Sequence, residues 1–337
     1  MEEEFTIVEL TAAINNQPFV PGQVGALRVG DQPLFDEDGV ATDSIKVEEQ
    51  EGKLDIIEPT PRGSAGNALD DGEGRRRLTF EIDHFEIPDS VNADEIQGVK
   101  MFGSDDQLEV MENRIDAKLA RHARSLDATL EHQRVGAIKG IIVSGKGKVL
   151  HNLYDRFGLA VPAPIALGID QQVAGIASKI KKDVVYAVED ELDESYDHIH
   201  AMCGRDFHDF LWEQKEVRET FLADNQGYQL RDGAPDVFRV GKVTFERYRT
   251  GKKATAANGG AAFIATNEAR AFPVGVPDLF ITRFGPGDWN GLPNTVGLPR
   301  YTRMKAKYND KGYHLDSQMN AISLCTRPGV LKKLTIN

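Results

Sequence analysis

The chain has 337 residues, 40 % of them hydrophobic and 28 % charged, and carries a net charge of −13 at pH 7. That length suits two domain-sized units with ample core, no run reaches the ~18 apolar residues of a membrane helix, and two cysteines, Cys203 and Cys325, give no disulfide framework. The acidic total argues against a protein that wraps nucleic acid tightly, because neutralising phosphate needs clustered cations.

The charge is unevenly placed. Residues 1–60 hold fourteen Asp and Glu against Arg28, Lys46 and Lys53, a net of −11. Residues 298–337 hold eight Lys and Arg against Asp310 and Asp316, a net of +6. Such an asymmetry fits head-to-tail contacts between copies, with a solvated acidic tail as the plainer alternative.

The opening MEEEFTIVEL is acidic where a secretory leader would be basic, and the sparse cysteines suit a reducing cytoplasm. Residues 1–44 show little periodicity and many turn formers, among them Pro18, Pro21, Gly22, Gly25, Gly30, Pro33 and Gly39. Phe5, Phe19, Val20 and Phe35 make the segment too apolar for an idle tail, so it reads as an arm that orders on another surface.

Ile45–Glu58 and Arg75–Ile87 then have strand character, the second with Leu78, Phe80 and Ile82 alternating with Thr79 and Glu81. Between them lies PTPRGSAGNALDDGEG, whose Gly63, Gly66, Gly72 and Gly74 mark a pliant tip. The prediction is an extended β-hairpin over residues 45–90. A two-stranded ribbon has no core of its own, so Leu78, Phe80 and Ile82 need another surface to cover them. Arg75, Arg76 and Arg77, the tight basic cluster, would sit at the same place.

Ser104–Gly136 contains no proline and no glycine before its last residue. Leu108, Met111, Ile115, Leu119, Ala123, Leu126 and Leu130 recur at steps of three and four, which predicts one amphipathic helix roughly 48 Å long. Ser104 with Gln107 forms a capping-box start and Gly136 a stop. No other helix of that length is predicted, so β-structure on either side must cover the stripe.

Beyond it, Ile138–Tyr154 reads as two short strands around the Gly145–Gly147 turn, and residues 155–170 as a linker and domain boundary. An α/β block follows. It has a helix over Val173–Leu192, a strand at His198–Cys203, a second helix over Asp206–Leu222, and strands at Val237–Thr250 and Ala262–Ala265. Residues 273–299 are loop-rich. Strands at Arg300–Tyr308, Ser317–Leu324 and Val330–Ile336 read as a return to the first domain.

Two motifs invite chemistry. Gly140, Gly145 and Lys146 satisfy most of a phosphate-loop pattern, but the intervening residues are the strand itself, a helix precedes where one should follow, and Gly147 replaces the hydroxyl. A plain hairpin explains it better. His198, His200, Cys203 and His208 could ligate zinc, yet His198 and His200 share one strand face, Cys203 takes the other, and His208 lies on the next helix. No nucleophile and base stand out. The expectation is no enzyme, no metal and no cofactor.

Taken together, FTIVELTAAIN, RRRLTFEIDHFEIP, HIHAMCGRDFHDFLWEQKEVRETF, NEARAFPVGVPDLF and LDSQMNAISLCTRPGVLKKL resemble the major capsid protein E family of tailed bacteriophages, the lambda-type coat proteins. The resemblance implies an α+β, Hong Kong 97-like capsid fold. In that frame residues 1–44 are the N-arm, 45–90 the extended loop and 91–169 the peripheral domain with the spine helix at 104–136. Residues 170–297 are the axial domain, and 298–337 return to the peripheral domain. It implies assembly in the host cytoplasm into hexamers and pentamers of an icosahedral virion shell. The partners it implies are scaffold, portal and decoration proteins, and packaged double-stranded DNA touched weakly and without sequence specificity, with no membrane. It also places Leu78, Phe80 and Ile82 against an adjacent subunit. An encapsulin-like compartment shell of the same fold is the alternative.

Overall fold

The computed structural model describes residues 7–16, 22–50, 75–95, 111–192, 194–223 and 235–337. It begins with helix α1 (Ile7–Asn16) and the single turn α2 (Gln23–Ala26). Strands β1 (Arg28–Val29), β2 (Gln32–Pro33), β3 (Asp36–Gly39), β4 (Ser44–Gln50), β5 (Arg75–Glu81) and β6 (Asp83–Asn92) follow. The long helix α3 (Met111–Lys139) leads into β7 (Ile141–Val143), β8 (Val149–Asn152), α4 (Leu153–Phe157) and β9 (Ile165–Ala166). Next come α5 (Ile176–Ile180), α6 (Tyr186–Glu189), β10 (His198–Cys203), α7 (Arg205–Trp212), α8 (Lys215–Ala223), β11 (Val237–Val240), β12 (Val243–Arg247) and α9 (Lys252–Ala257). Strands β13 (Glu268–Val274), β14 (Phe280–Phe284), β15 (Tyr301–Ala306), β16 (Gly312–Cys325) and β17 (Lys332–Thr335) complete the order.

Two sheets organise these elements. A six-stranded mixed sheet runs β11-β12-β10-β13-β17-β9. Strand β10 divides its side chains as a pleat demands. Ile199, Ala201 and Cys203 face a core with Ile176, Val184, Phe207 and Leu211, while Met202 faces the other core with Phe272, Val135 and Ile138 of the long helix. The second sheet runs β15-β16-β14-β3, with β6 also pairing β16 over the ten positions from Asp83 to Asn92. Strands β4 and β5 form a two-stranded ribbon in which Ile45 faces Phe80 and Val47 faces Leu78.

The spine stripe finds its cover in successive patches. Ile115, Leu119 and Ala123 pack with Val91 and Leu315 of the second sheet, Leu126 and Leu130 with Met319 and Phe284, and Val135 and Ile138 with the large central core. Leu119 is 1 % exposed. Leu119→Ala is therefore expected to cost about 2–5 kcal/mol, read as a lowered melting point of the unassembled subunit. An unchanged melt would place the stripe in solvent.

The structure corrects several expectations. The helix passes through Gly136, where a Cβ would meet the Ile142 Cα at 3.0 Å, so that glycine permits the close approach of β7. The stop is Gly140, at φ +77°, the left-handed geometry that ends helices. Residues 104–110, with Ser104, Gln107 and Leu108, lie outside the described residues.

The arm is only partly an arm. Leu10 and Ile14 of α1 bury against Ile115 and Leu119 of the same chain, and β3 pairs in parallel with β14. The 206–222 helix is two helices, α7 and α8, and the 237–250 strand is a hairpin turning at Gly241 (φ +62°). No strand forms at 262–265, whereas the loop-rich 273–299 holds β14. The last strand joins the six-stranded sheet, between β13 and β9, and not the sheet of β15 and β16.

Candidate assembly surfaces

Phe80 is fully buried by its own chain. Its ring lies 6.1 Å from that of Phe157 and 6.3 Å from that of His151, and the Arg156 guanidinium sits 5.3 Å from its centroid. The expectation that Phe80 needs a neighbouring subunit is thus corrected, because the base of the ribbon is docked on α4 and β8. Leu78 and Ile82 are only half-buried against the same core and keep outward surface. Arg77 is exposed, and the backbone register sets Arg76 and Arg77 opposite Glu49 and Glu48. The side chains of Arg75 and Arg76, and the tip with Gly63, Gly66, Gly72 and Gly74, lie outside the described residues.

Just beyond the ribbon, Asp83 accepts hydrogen bonds from Gln133 Nε2 at 3.0 Å and His151 Nε2 at 3.2 Å, which pins the loop base to the spine. Three further acids tie the spine to its surroundings. Glu131 accepts from the amides of Val24 (2.9 Å) and Gly25 (3.0 Å) and from the Tyr248 hydroxyl (3.0 Å). A Cβ on Gly22 would overlap the Glu131 carboxyl, so a larger residue there would push that carboxyl off its partners. Burial, then the Glu131 charge, push the Tyr248 hydroxyl far above its ordinary value. Arg134, 1 % exposed, reaches Glu37 Oε1 at 2.6 Å and stacks on Phe35. Asp127 pairs with Arg300, and both are almost wholly buried.

A fifth tie escaped the sequence, because its members are far apart in the chain. Asp89 Oδ2 lies 3.1 Å from His122 Nε2, and His122 Nδ1 lies 2.9 Å from Ser317 Oγ. The order is that of a hydrolytic triad. Ser317, however, is wholly buried and its hydroxyl also bonds Thr302, so no substrate reaches it. The row latches the spine to β6 and β16. Burial would raise Asp89, but the Ser90 amide, Lys118 and His122 outweigh it and hold the carboxyl below its ordinary value.

The four residues weighed as zinc ligands do not converge. His200 Nε2 lies 3.1 Å from Glu246 Oε2, whereas His208 packs on Phe238, 5.0 Å between centroids. Among the described residues no three His, Cys, Asp or Glu side chains gather as a metal would require. Burial lifts the Cys203 thiol well above its ordinary range. The glycine-rich 140–147 stretch is a hairpin whose Ser144 amide donates to the Lys148 carbonyl at 2.8 Å, with Gly147 at φ +80°.

Burial, as the largest cause, holds His122, His132, His198 and His208 below the ordinary histidine value of 6.5. Below 6.5 the unfolded chain therefore binds more protons at these positions than the folded chain does, so stability is lost as pH falls through that value. The melting point of the unassembled subunit is expected to drop between about pH 7 and about pH 5. His208→Phe should flatten part of that slope, and a melting point level across the interval would refute the sign.

The interior polar side chains thus hold elements together. A family model described as "Phage major capsid protein E" matches residues 6–336. The chain belongs to the phage major capsid protein E family. It is 23 % identical to the major capsid protein of Salmonella phage Felix O1, over 98 % of this chain and 96 % of the relative. It is 24 % identical to that of Pseudomonas phage KPP10, over 99 % and 97 %. Among solved structures, a protein described as a prophage capsid protein of E. coli CFT073 superposes with a TM-score of 0.58 at 12 % identity, covering 99 % of each chain. The mature capsid subunit of bacteriophage PhiM1 gives 0.50 at 13 % identity, over 89 % of this chain and 84 % of that one. This capsid protein therefore has the Hong Kong 97-like fold, and its place is the shell of a tailed-phage virion. A full-length match to a phage family favours the phage head over the compartment shell.

Proposed function

We propose that this capsid protein builds an icosahedral head from hexamers and pentamers of itself, without catalytic turnover. The ribbon β4–β5 carries the reading. Among the described residues its two strands pair only with each other, and an isolated ribbon is marginal in water. Leu78 and Ile82, half-buried on the strand face they share with Phe80, and the Arg75–Arg77 run are the surface for an adjacent subunit of the same ring. Phe80 instead secures the ribbon's root. The ribbon within residues 45–90 is then the extended loop, residues 91–169 with β6, β15 and β16 the peripheral part, and residues 170–297 with β17 the axial part.

Scaffold, portal and decoration proteins are the further partners. A net charge of −13 suits a wall that holds packaged double-stranded DNA without gripping its sequence. Electron microscopy and sedimentation of the purified protein test the reading. Closed particles are expected. A chain that stays monomeric at every salt and crowding condition would refute it, and nuclease-protected DNA in particles from infected cells separates a virion shell from a compartment.

A further inference from the structure

The two ends of the second sheet carry charge surpluses of opposite sign, Lys305, Lys307 and Lys311 against Asp310 at one, and Asp38, Asp43 and Glu81 against Lys46 where the ribbon joins the other. At one end the β15–β16 hairpin tip carries Lys305 and Lys311, both exposed and neither in an ion pair among the described residues, with Tyr308 wholly in solvent between them. At the other end the root of the ribbon carries Asp38, Asp43 and Glu81, all exposed and likewise without an ion pair. The backbone gathers these three acids. Ser44 faces Glu81 across the ribbon, the Ile82 amide donates to the Asp43 carbonyl at 2.9 Å, and Asp38 faces Arg283 on β14. The ten-position pairing of β6 with β16 separates the two ends by roughly 30 Å. That is several Debye lengths at physiological salt, so neither patch neutralises the other within one subunit.

We propose that the Lys305–Lys311 tip of one subunit docks on the Asp38–Asp43–Glu81 corner of a second copy, with Tyr308 as its anchor. The proposal deepens, and rests on, the shell-subunit reading above. Two complementary patches at different places on one molecule make a head-to-tail contact, the kind that closes into rings when the rotation between copies permits. Tyr308 contributes nothing to the subunit's own core. At a contact it supplies apolar area with little rotamer entropy to lose, as tyrosine anchors do. The flanking charges steer the encounter and reject the wrong register, because like charges brought together are costly.

The test is a charge swap in the full-length chain, scored by sedimentation and electron microscopy beside melts of the unassembled protein. All four positions are exposed, so K305E/K311E and D43K/E81K should melt as the parent does. Each is expected to lower the particle fraction by about tenfold or more, and combining all four changes should restore it. Normal particles from K305E/K311E would overturn the proposal. So would a combined variant that stays unassembled, or particles that form normally but lose nuclease-protected DNA, which would assign the tip to nucleic acid. A parent chain that never assembles would instead bring down the shell reading itself.

Discussion

Phe80→Asp is expected to prevent the subunit from folding, and not merely from joining its neighbours. The side chain is completely buried among Ile45, Phe157 and the ring of His151, inside the central core. A carboxylate there loses its hydration, and burying an unpaired charge is among the costliest changes a core can receive. The Arg156 guanidinium lies over the ring and could partly compensate an aspartate, so Phe80→Ala is the cleaner companion. It should cost about 3–5 kcal/mol, a large share of a typical stability. Refolding yield and thermal melts of the unassembled protein measure both. A Phe80→Asp subunit that folds normally yet forms no particles would return Phe80 to the intersubunit surface.

How far the chain could be read from its sequence depended on whether a pattern is local. The helical stripe from Met111 to Leu130 and the alternation around Phe80 are local, and a helix and a strand formed there, although the helix runs on to Lys139 and the Arg75–Ile87 strand divides at Ile82 into β5 and β6. What covers them is not local. Phe80 meets Phe157 across 77 positions of sequence, and no periodicity announces that partner. The same holds for α1, whose Leu10 and Ile14 were read as part of an arm but close the far end of the spine.

Gly136 misled because glycine has two uses: it ends helices, and it lets another backbone come close. Here the second applied. The buried polar ties were illegible for a related reason. Asp89, His122 and Ser317 are ordinary residues until the sheet and helix bring them within hydrogen-bond reach. The candidate contact surfaces were legible only as a charge imbalance between the two ends of the chain. Their grouping into a corner and a tip needed the register of β4–β5 and β6–β16.

The buried pair of Asp127 and Arg300 gives the second large effect. Each side chain is only 5 % exposed. The Arg300 guanidinium donates to Asp127 Oδ1 through Nε at 3.1 Å and to the Ile14 carbonyl through Nη1 at 2.9 Å. One arginine thus joins the middle of the spine, the end of α1 and the start of β15, and Asn15 Nδ2 donates back to the Arg300 carbonyl at 2.9 Å. Asp127→Ala removes the anion and leaves the cation in an interior from which water is largely excluded. The expected loss is about 3–5 kcal/mol, because the buried arginine then loses its carboxylate counter-charge. Helix α1 should be the first casualty, detected as faster proteolysis within residues 7–16 under native conditions. The double variant Asp127→Leu with Arg300→Met should recover much of the loss, since an apolar pair of similar volume carries no desolvation penalty. A double-mutant cycle on melting free energies separates these terms. If Asp127→Ala melts like the parent and α1 stays protected, water reaches the guanidinium and the pair does not hold the helix in place.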